Sequence, residues 1–251
     1  ELAKLGYDVG KVDITVGTSY EAVGEALSAG TADVGLIPGG TYVLYDDGCD
    51  VLLTATRDGL SIDSDSAKDW NDNAPTQPTT DQVTSYRALM IAGPSEKGKA
   101  LAAKVNAGEQ LTWEDVSGAN WSVMNSSSPA GYIYPSLWLQ ENFSKNITDL
   151  PHAVQSDSYG SAFARLASGQ VDVLCTYADG RRDYEDEWTG EYAMTNSIWD
   201  DTAVIGVTPA IYNDTISVSK TSPIMDDSFK AALSEAFINI GNTEQGKQVI
   251  A

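Results

Sequence analysis

The sequence predicts an α/β protein of two similar lobes, each a mixed, mostly parallel sheet flanked by helices, with a ligand cleft between the lobes. Three observations lead there. Short apolar strand-like runs take turns with helix-like runs, the pattern of βαβ units. The chain has 251 residues, room for one large domain or for two lobes of roughly 120 residues. One unit is also written twice: Ser19-Tyr20, Leu27, Gly30 and Asp33-Val34 lie without a gap over Ser158-Tyr159, Leu166, Gly169 and Asp172-Val173. Each copy spells a serine cap, a helix, a glycine stop and an Asp-Val strand. A helix start then lies at the carboxyl edge of each sheet, where open α/β sheets take ligands.

In order, Leu2 to Tyr7 reads as the last turn of a helix closed by Gly6. An upstream strand and an export signal are expected to precede it. Val12 to Val16 alternates as a strand, Tyr20 to Ser28 is a helix, and Ala32 to Ile37 a buried strand. Pro38-Gly39-Gly40 turns into a helical segment at Thr41, and Val51 to Thr56 is a strand. Residues 58–82 read as a long acidic, solvated loop. Tyr86 to Ala92 is a strand, Lys97 to Asn106 a helix, and Trp121 to Val123 a strand. After the second copy come a charged helix from Arg181, strands at Thr202–Val207 and Ile216–Val218, and a helix from Asp227 to Ile240. The chain is expected to cross between lobes near residues 90–94 and 214–218. Lobe 1 then holds 1–91 and 216–251, and lobe 2 holds 92–215.

Composition narrows the function. Asp+Glu outnumber Lys+Arg 36 to 15, a net charge of −21, which repels nucleic acid and anionic membrane surfaces. An anionic ligand must therefore be held by local dipoles. Cys49 and Cys175 sit in apolar strand-like runs and read as buried thiols. The single histidine, His152, stands in a polar connection, so no multi-histidine metal site is available and no cofactor motif is present. The stretch Met124-Asn125-Ser126-Ser127-Ser128-Pro129-Ala130-Gly131-Tyr132 is the most informative. Ser128 followed by Pro129 reads as an N-cap with proline at the first helical position. The amides of Ala130 and Gly131 and the nearby hydroxyls then face one point suited to an anion.

Several runs resemble the phosphate/phosphite/phosphonate-binding proteins of ABC importers. They are Gly17-Thr18-Ser19-Tyr20, Leu27 to Val34, Thr41-Tyr42-Val43, Tyr86-Arg87-Ala88-Leu89, Gly131-Tyr132-Ile133, Ser158 to Val173 and Asn213-Asp214. The resemblance covers nearly the whole chain in order. It implies a type II periplasmic-binding-protein fold, closing by a hinge on an oxyanion and delivering it to a membrane permease. It further implies a monomeric, extracytoplasmic, non-enzymatic receptor, periplasmic or lipid-anchored. Carried over residue by residue, the ligand tyrosines fall on Tyr42 and Tyr86, the cap serine on Ser128 and the carboxylate on Asp214.

Two positions depart from the family pattern. Ser-Thr-Ser-Gly is replaced by Ser128-Pro129-Ala130-Gly131, leaving Ser126 and Ser127 to supply hydroxyls ahead of the cap. The family's histidine becomes Tyr159, a donor without a positive charge. A less charged, pyrimidine- or thiamine-like ligand therefore stays open, given Tyr42, Tyr86, Tyr132, Tyr159 and Tyr177. So do an enzyme on the same scaffold and a sensory domain docking a membrane kinase.

Overall fold

The computed structural model describes every residue except Asn73 and Ala251. After a 3₁₀ turn at Leu2–Leu5, the elements are α1 (Tyr20–Ser28), β1 (Val34–Ile37), α2 (Gly39–Tyr42), β2 (Cys49–Thr54) and β3 (Arg57–Leu60). Then come β4 (Pro78–Val83), β5 (Ser85–Tyr86), β6 (Ala88–Ala92), α3 (Glu96–Asn106), α4 (Trp113–Ser117) and β7 (Trp121–Val123). A π turn over Pro129–Ile133 opens α5 (Tyr134–Phe143), followed by β8 (Ala153–Gln155), α6 (Tyr159–Ala167) and β9 (Val173–Tyr177). The chain closes with α7 (Gly180–Asp183), α8 (Glu185–Thr189), α9 (Ile198–Asp201), β10 (Ala203–Val207), β11 (Ile211–Tyr212), β12 (Thr215–Ser219), α10 (Asp227–Gly241) and α11 (Glu244–Ile250).

These elements fall into two compact units, Glu1–Arg57 with Tyr212–Ala251, and Asp58–Ile211. The crossings thus come after residues 57 and 211, not after 91 and 215 as the sequence reading has it. The reason is β6. All five of its residues are buried, and it is flanked on both sides by strands of the second unit, β10 and β9.

The first unit is built on a three-stranded sheet, β1-β12-β2, with both pairings antiparallel. On one face Leu27 of α1 packs with Ile37 and Cys49, and on the other Val218, Met225 and Leu233 gather Phe229 and Phe237. Helix α1 begins where the serine cap predicts: Ala22 N–H donates to Ser19 Oγ at 3.2 Å. It ends before Gly30, whose φ of 70° is a left-handed conformation that glycine adopts without strain. The strand expected over Val12–Val16 does not form; residues 7–17 carry no regular structure. Val12, Ile14 and Val16 are 69%, 88% and 92% exposed. Alternation decides which way side chains point, but a strand also needs a neighbouring backbone to pair with. Strand β1 lies at the end of its sheet and pairs with β12.

The second unit holds a five-stranded sheet, β10-β6-β9-β7-β8. Its β10–β6 and β6–β9 pairings are antiparallel, and β7 runs parallel to β8 and β9. This sheet is mixed and the first unit's is wholly antiparallel, so the mostly parallel pairing expected from βαβ alternation is not what forms: in these two sheets only β7 pairs in parallel, with β8 and β9. Residues 58–82 are also more than a solvated loop. Strands β3 and β4 pair, Ser61 N–H donates to Gln77 O at 2.8 Å, and Trp70 is buried with its indole N–H donating to Ser64 O. Trp70 joins a core of Leu89, Ile91, Phe163, Leu174, Trp188 and Trp199.

The repeat seen in the sequence is a repeat of structure. Helix α6 is capped by Ser158, which accepts from Ser161 N–H, and is followed by Gly169 at φ 72°. The repeated aspartates do matching work. Asp172 accepts from Ser95 Oγ at 2.6 Å and from the backbone and side-chain amides of Asn120. Asp33 accepts from Ser222 Oγ at 2.6 Å. Each carboxylate fastens the loop before its strand to a distant segment of its own unit.

Candidate ligand-binding site

In the second unit, β7 runs through Met124 and Asn125 into the Ser128 cap. Ser128 Oγ accepts from Gly131 N–H at 3.2 Å. Its carbonyl accepts from both Tyr132 N–H at 3.1 Å and Ile133 N–H at 3.0 Å, which makes the first turn a wide one. Of the two amides expected to face an anion, Gly131's is therefore engaged by the cap, leaving Ala130's at the helix opening. Gly131 is there because nothing larger fits: a Cβ would run into the Cβ and Cγ of Met124. Pro129, with no N–H to lose, occupies the first position of the turn.

The second copy of the repeat delivers a partner to this cap. Tyr159, first residue of α6, brings its hydroxyl to 3.4 Å from Ser128 Oγ. Its ring meets Tyr177 edge-on, with centroids 5.0 Å apart and an interplanar angle of 80°. Tyr177 ends β9, and it packs with Tyr86 and Tyr134 against Ala88, Ala130 and Ile211. Burial, with Asp183 nearby, pushes the Tyr177 hydroxyl's pKa far up, so it stays a neutral donor. Ser128, Tyr86 and Tyr159 thus border one patch of the second unit, each ring half-buried.

Ser126 and Ser127 do not join it in the same way. Ser126 is exposed, and Ser127 donates both its N–H and its hydroxyl to Asn125 Oδ1, closing a local turn. Tyr132 packs onto the core with Met90 and Trp138, and Tyr134, two residues on, stands with the tyrosines instead. The i→i+5 turn inserts an extra residue ahead of α5, a shift of register that apolar periodicity does not reveal.

In the first unit, Tyr42 ends α2 and packs half-buried against Leu27, Ile37 and Cys49. Asp214 precedes β12 and is held by its neighbours. Its carbonyl accepts from Ala55 N–H at 2.8 Å, and Asn213 Nδ2 donates to Ala55 O at 3.0 Å. The Asp214 side chain keeps solvent contact, yet crowding raises its carboxyl's pKa, with Arg57 opposing. Burial and the Asp214 charge together push up the Tyr20 hydroxyl. Tyr20 is the repeat counterpart of Tyr159, and the register Ser19-Tyr20 over Ser158-Tyr159 was the signal that could have singled it out.

Both cysteines are free and buried, and His152 is exposed. Among the described residues no cluster of three His, Cys, Asp or Glu side chains is arranged to hold a metal, and no helix is long and apolar enough to cross a membrane. A cavity of about 270 Å³ lies elsewhere in the second unit, along α3 and residues 200–203, and contains none of the groups above.

The chain belongs to the family described as ABC transporter, phosphonate, periplasmic substrate-binding protein, which it matches over residues 3–251. The fold agrees with solved structures. A binding-protein component of an ABC phosphonate transporter from Pseudomonas aeruginosa matches with a TM-score of 0.56 and 16% identity, over 93% of this chain and 65% of that one. A Xanthomonas citri protein bound to ATP matches with a TM-score of 0.62 and 13% identity, over 98% and 77%. PhnD1 of Prochlorococcus marinus, in complex with methylphosphonate, gives 0.51 and 14%, over 92% and 73%. The fold is that of type II periplasmic binding proteins. A curated acetyl-coenzyme A synthetase from Bartonella quintana is 28% identical over 174 residues, 64% of this chain. The chain spans only 26% of that protein's length.

Proposed function

We propose that this chain is the solute-binding component of an ABC importer and that it binds a small phosphoryl oxyanion of the phosphonate, phosphite or phosphate kind without chemical change. The observation that carries this reading is the Tyr159 hydroxyl standing 3.4 Å from the Ser128 cap at the opening of a helix, in a chain of the phosphonate-binding family. Hydroxyls and a helix dipole hold an anion without a cation, and so can act inside a chain of net charge −21. Ser128, Tyr159 and Tyr86 are the donors of the second unit, with Ser126 and Ser127 beside them. Within the first unit, Tyr42 and Asp214 are the groups we propose for ligand contact. Asp214 accepts a hydrogen bond from a protonated phosphoryl oxygen and repels anions that have no proton to give. Its raised pKa fits a carboxylate that shares a proton with its ligand.

The partner is a membrane permease and the site of action is outside the cytoplasm; the family is a periplasmic one. The neighbours solved with methylphosphonate and ATP share the fold, while the ligand class rests on the family and on this chain's own groups.

A thermal-shift panel of phosphate, phosphite, methylphosphonate and sulfate tests the reading. A ligand at 100 times its Kd stabilises by about 2.7 kcal/mol, so one of the protonatable phosphoryl anions raises the melting temperature and sulfate does not. No shift with any phosphoryl anion contradicts it.

A further inference from the structure

We propose that Asn71 guards the open edge of the five-stranded sheet, pairing with β10 in place of a strand and so keeping a second copy of this chain from adding there. Strand β10 stands at one end of the order β10-β6-β9-β7-β8. An end strand turns a row of N–H and C=O groups away from its sheet, a template for another chain. The opposite end, β8, is only three residues long, with Val154 and Gln155 exposed, and an edge that short offers little to pair with. Strand β10 differs on each count. Its five residues, Ala203-Val204-Ile205-Gly206-Val207, are apolar, uncharged and all buried. A run of that kind, without proline, is what strand addition between chains favours.

Asn71 meets this edge at Val204. Val204 N–H donates to Asn71 Oδ1 at 2.7 Å, and Asn71 Nδ2 donates to Val204 O at 2.9 Å. One side-chain amide thus makes both bonds that a residue of a paired strand exchanges with its partner. The other Nδ2 hydrogen goes to Asn106 Oδ1 at the end of α3, 2.8 Å away, so both donors are used and the amide's orientation is fixed. The short turn Ala67–Trp70 brings the side chain there. Its Trp70 is buried in the same core as Val204, and the Trp70 carbonyl accepts from Arg181 Nη2 at 3.0 Å. Just past Val204 the β10–β6 register shifts, a bulge that further spoils the edge for pairing. The start of the strand is less protected. Asn71, Asn106, Thr202 and Ala203 all line the cavity of about 270 Å³ along α3, so open space lies beside the amide.

Sedimentation velocity over a concentration series, with amide hydrogen exchange read by NMR, tests this on the intact chain. In the parent the Val204 amide is expected to exchange as slowly as the amides of β6, and the chain to sediment at one mass. Asn71→Leu fills the same space without a polar atom. It is expected to speed Val204 exchange roughly tenfold or more and to form dimers and larger species that grow with concentration. Asn71→Ala is expected to do the same and decides the matter if the leucine variant does not fold. Asn106→Ala leaves both Val204 bonds in place and should stay at the parent's mass. Fast exchange of the Val204 amide in the parent overturns the inference. So do Asn71 variants that lose stability yet sediment like the parent at every concentration, failure of both to fold, or association of Asn106→Ala to the same degree. None of these readouts needs a ligand, so they stand apart from the oxyanion reading.

Discussion

Ser128 both shapes the turn and borders the proposed ligand. Its hydroxyl accepts from Gly131 N–H and meets the hydroxyl of Tyr159, so its position depends on how closely the turn packs against Met124. Gly131→Ala forces a Cβ into Met124. Overpacking of this kind costs about 1–3 kcal/mol, and chemical denaturation should read that loss, with ligand affinity falling beyond it because the cap has shifted. Asp214→Asn separates binding from folding. The raised carboxyl pKa means that ionising Asp214 is harder in the folded chain, so its favourable contribution is present at low pH and is lost as pH rises through the folded value. At neutral pH the asparagine variant should therefore melt no lower than the parent in the absence of ligand, while its phosphonate-induced shift disappears; a lowered apo melting temperature contradicts this. Ser128 and Tyr159 were legible because a cap and a repeat are local patterns. Tyr134 was not, because its place depends on a turn one residue wider than an α-helix.

Among the elements, the short helix α4 carries a pH test. Asp115 completes a capping box with Thr112 and accepts from Lys104 Nζ at 2.7 Å. The Lys104 ammonium and the Thr112 donors lower its pKa from 3.8 to about 2. A depressed carboxyl pKa contributes stability above its unfolded value, and the contribution is lost as pH falls through the folded one. Asp115→Asn should thus be less stable than the parent at pH 5–7, and the two melting curves should converge as pH approaches about 2; a gap that persists at that pH contradicts the assignment. Asp172 is the stronger fastening. Asp172→Ala strands the Ser95 hydroxyl and both Asn120 donors, which predicts a loss of about 2–4 kcal/mol in denaturant unfolding. Helix α1 and helix α6 could be read from sequence because serine caps, left-handed glycines and apolar faces are all local. The β3–β4 pair could not, since β4 is mostly exposed and polar and lacks the apolar alternation that marks a strand. Val12–Val16 failed in the opposite sense, having the alternation without a paired neighbour.

For the whole chain, the balance between net charge and local dipoles decides how an anion can be held. The sequence pointed to two units and a discontinuous chain path, but not to the crossings. A buried run such as Ala88–Ala92 does not disclose whether its neighbours come from before or after it, and here β9 and β10 both follow it. The acidic composition was legible outright, and it makes the account testable. If lysine or arginine held the ligand, added salt would screen that attraction and weaken binding. If hydroxyls and peptide dipoles hold it against a chain of net charge −21, salt screens a repulsion instead. The decisive measurement is calorimetric titration with methylphosphonate in sodium gluconate from about 0.01 to about 0.15 M ionic strength. Affinity that holds steady or rises across that range is the predicted result; affinity that falls steeply, or no binding at either end, contradicts it.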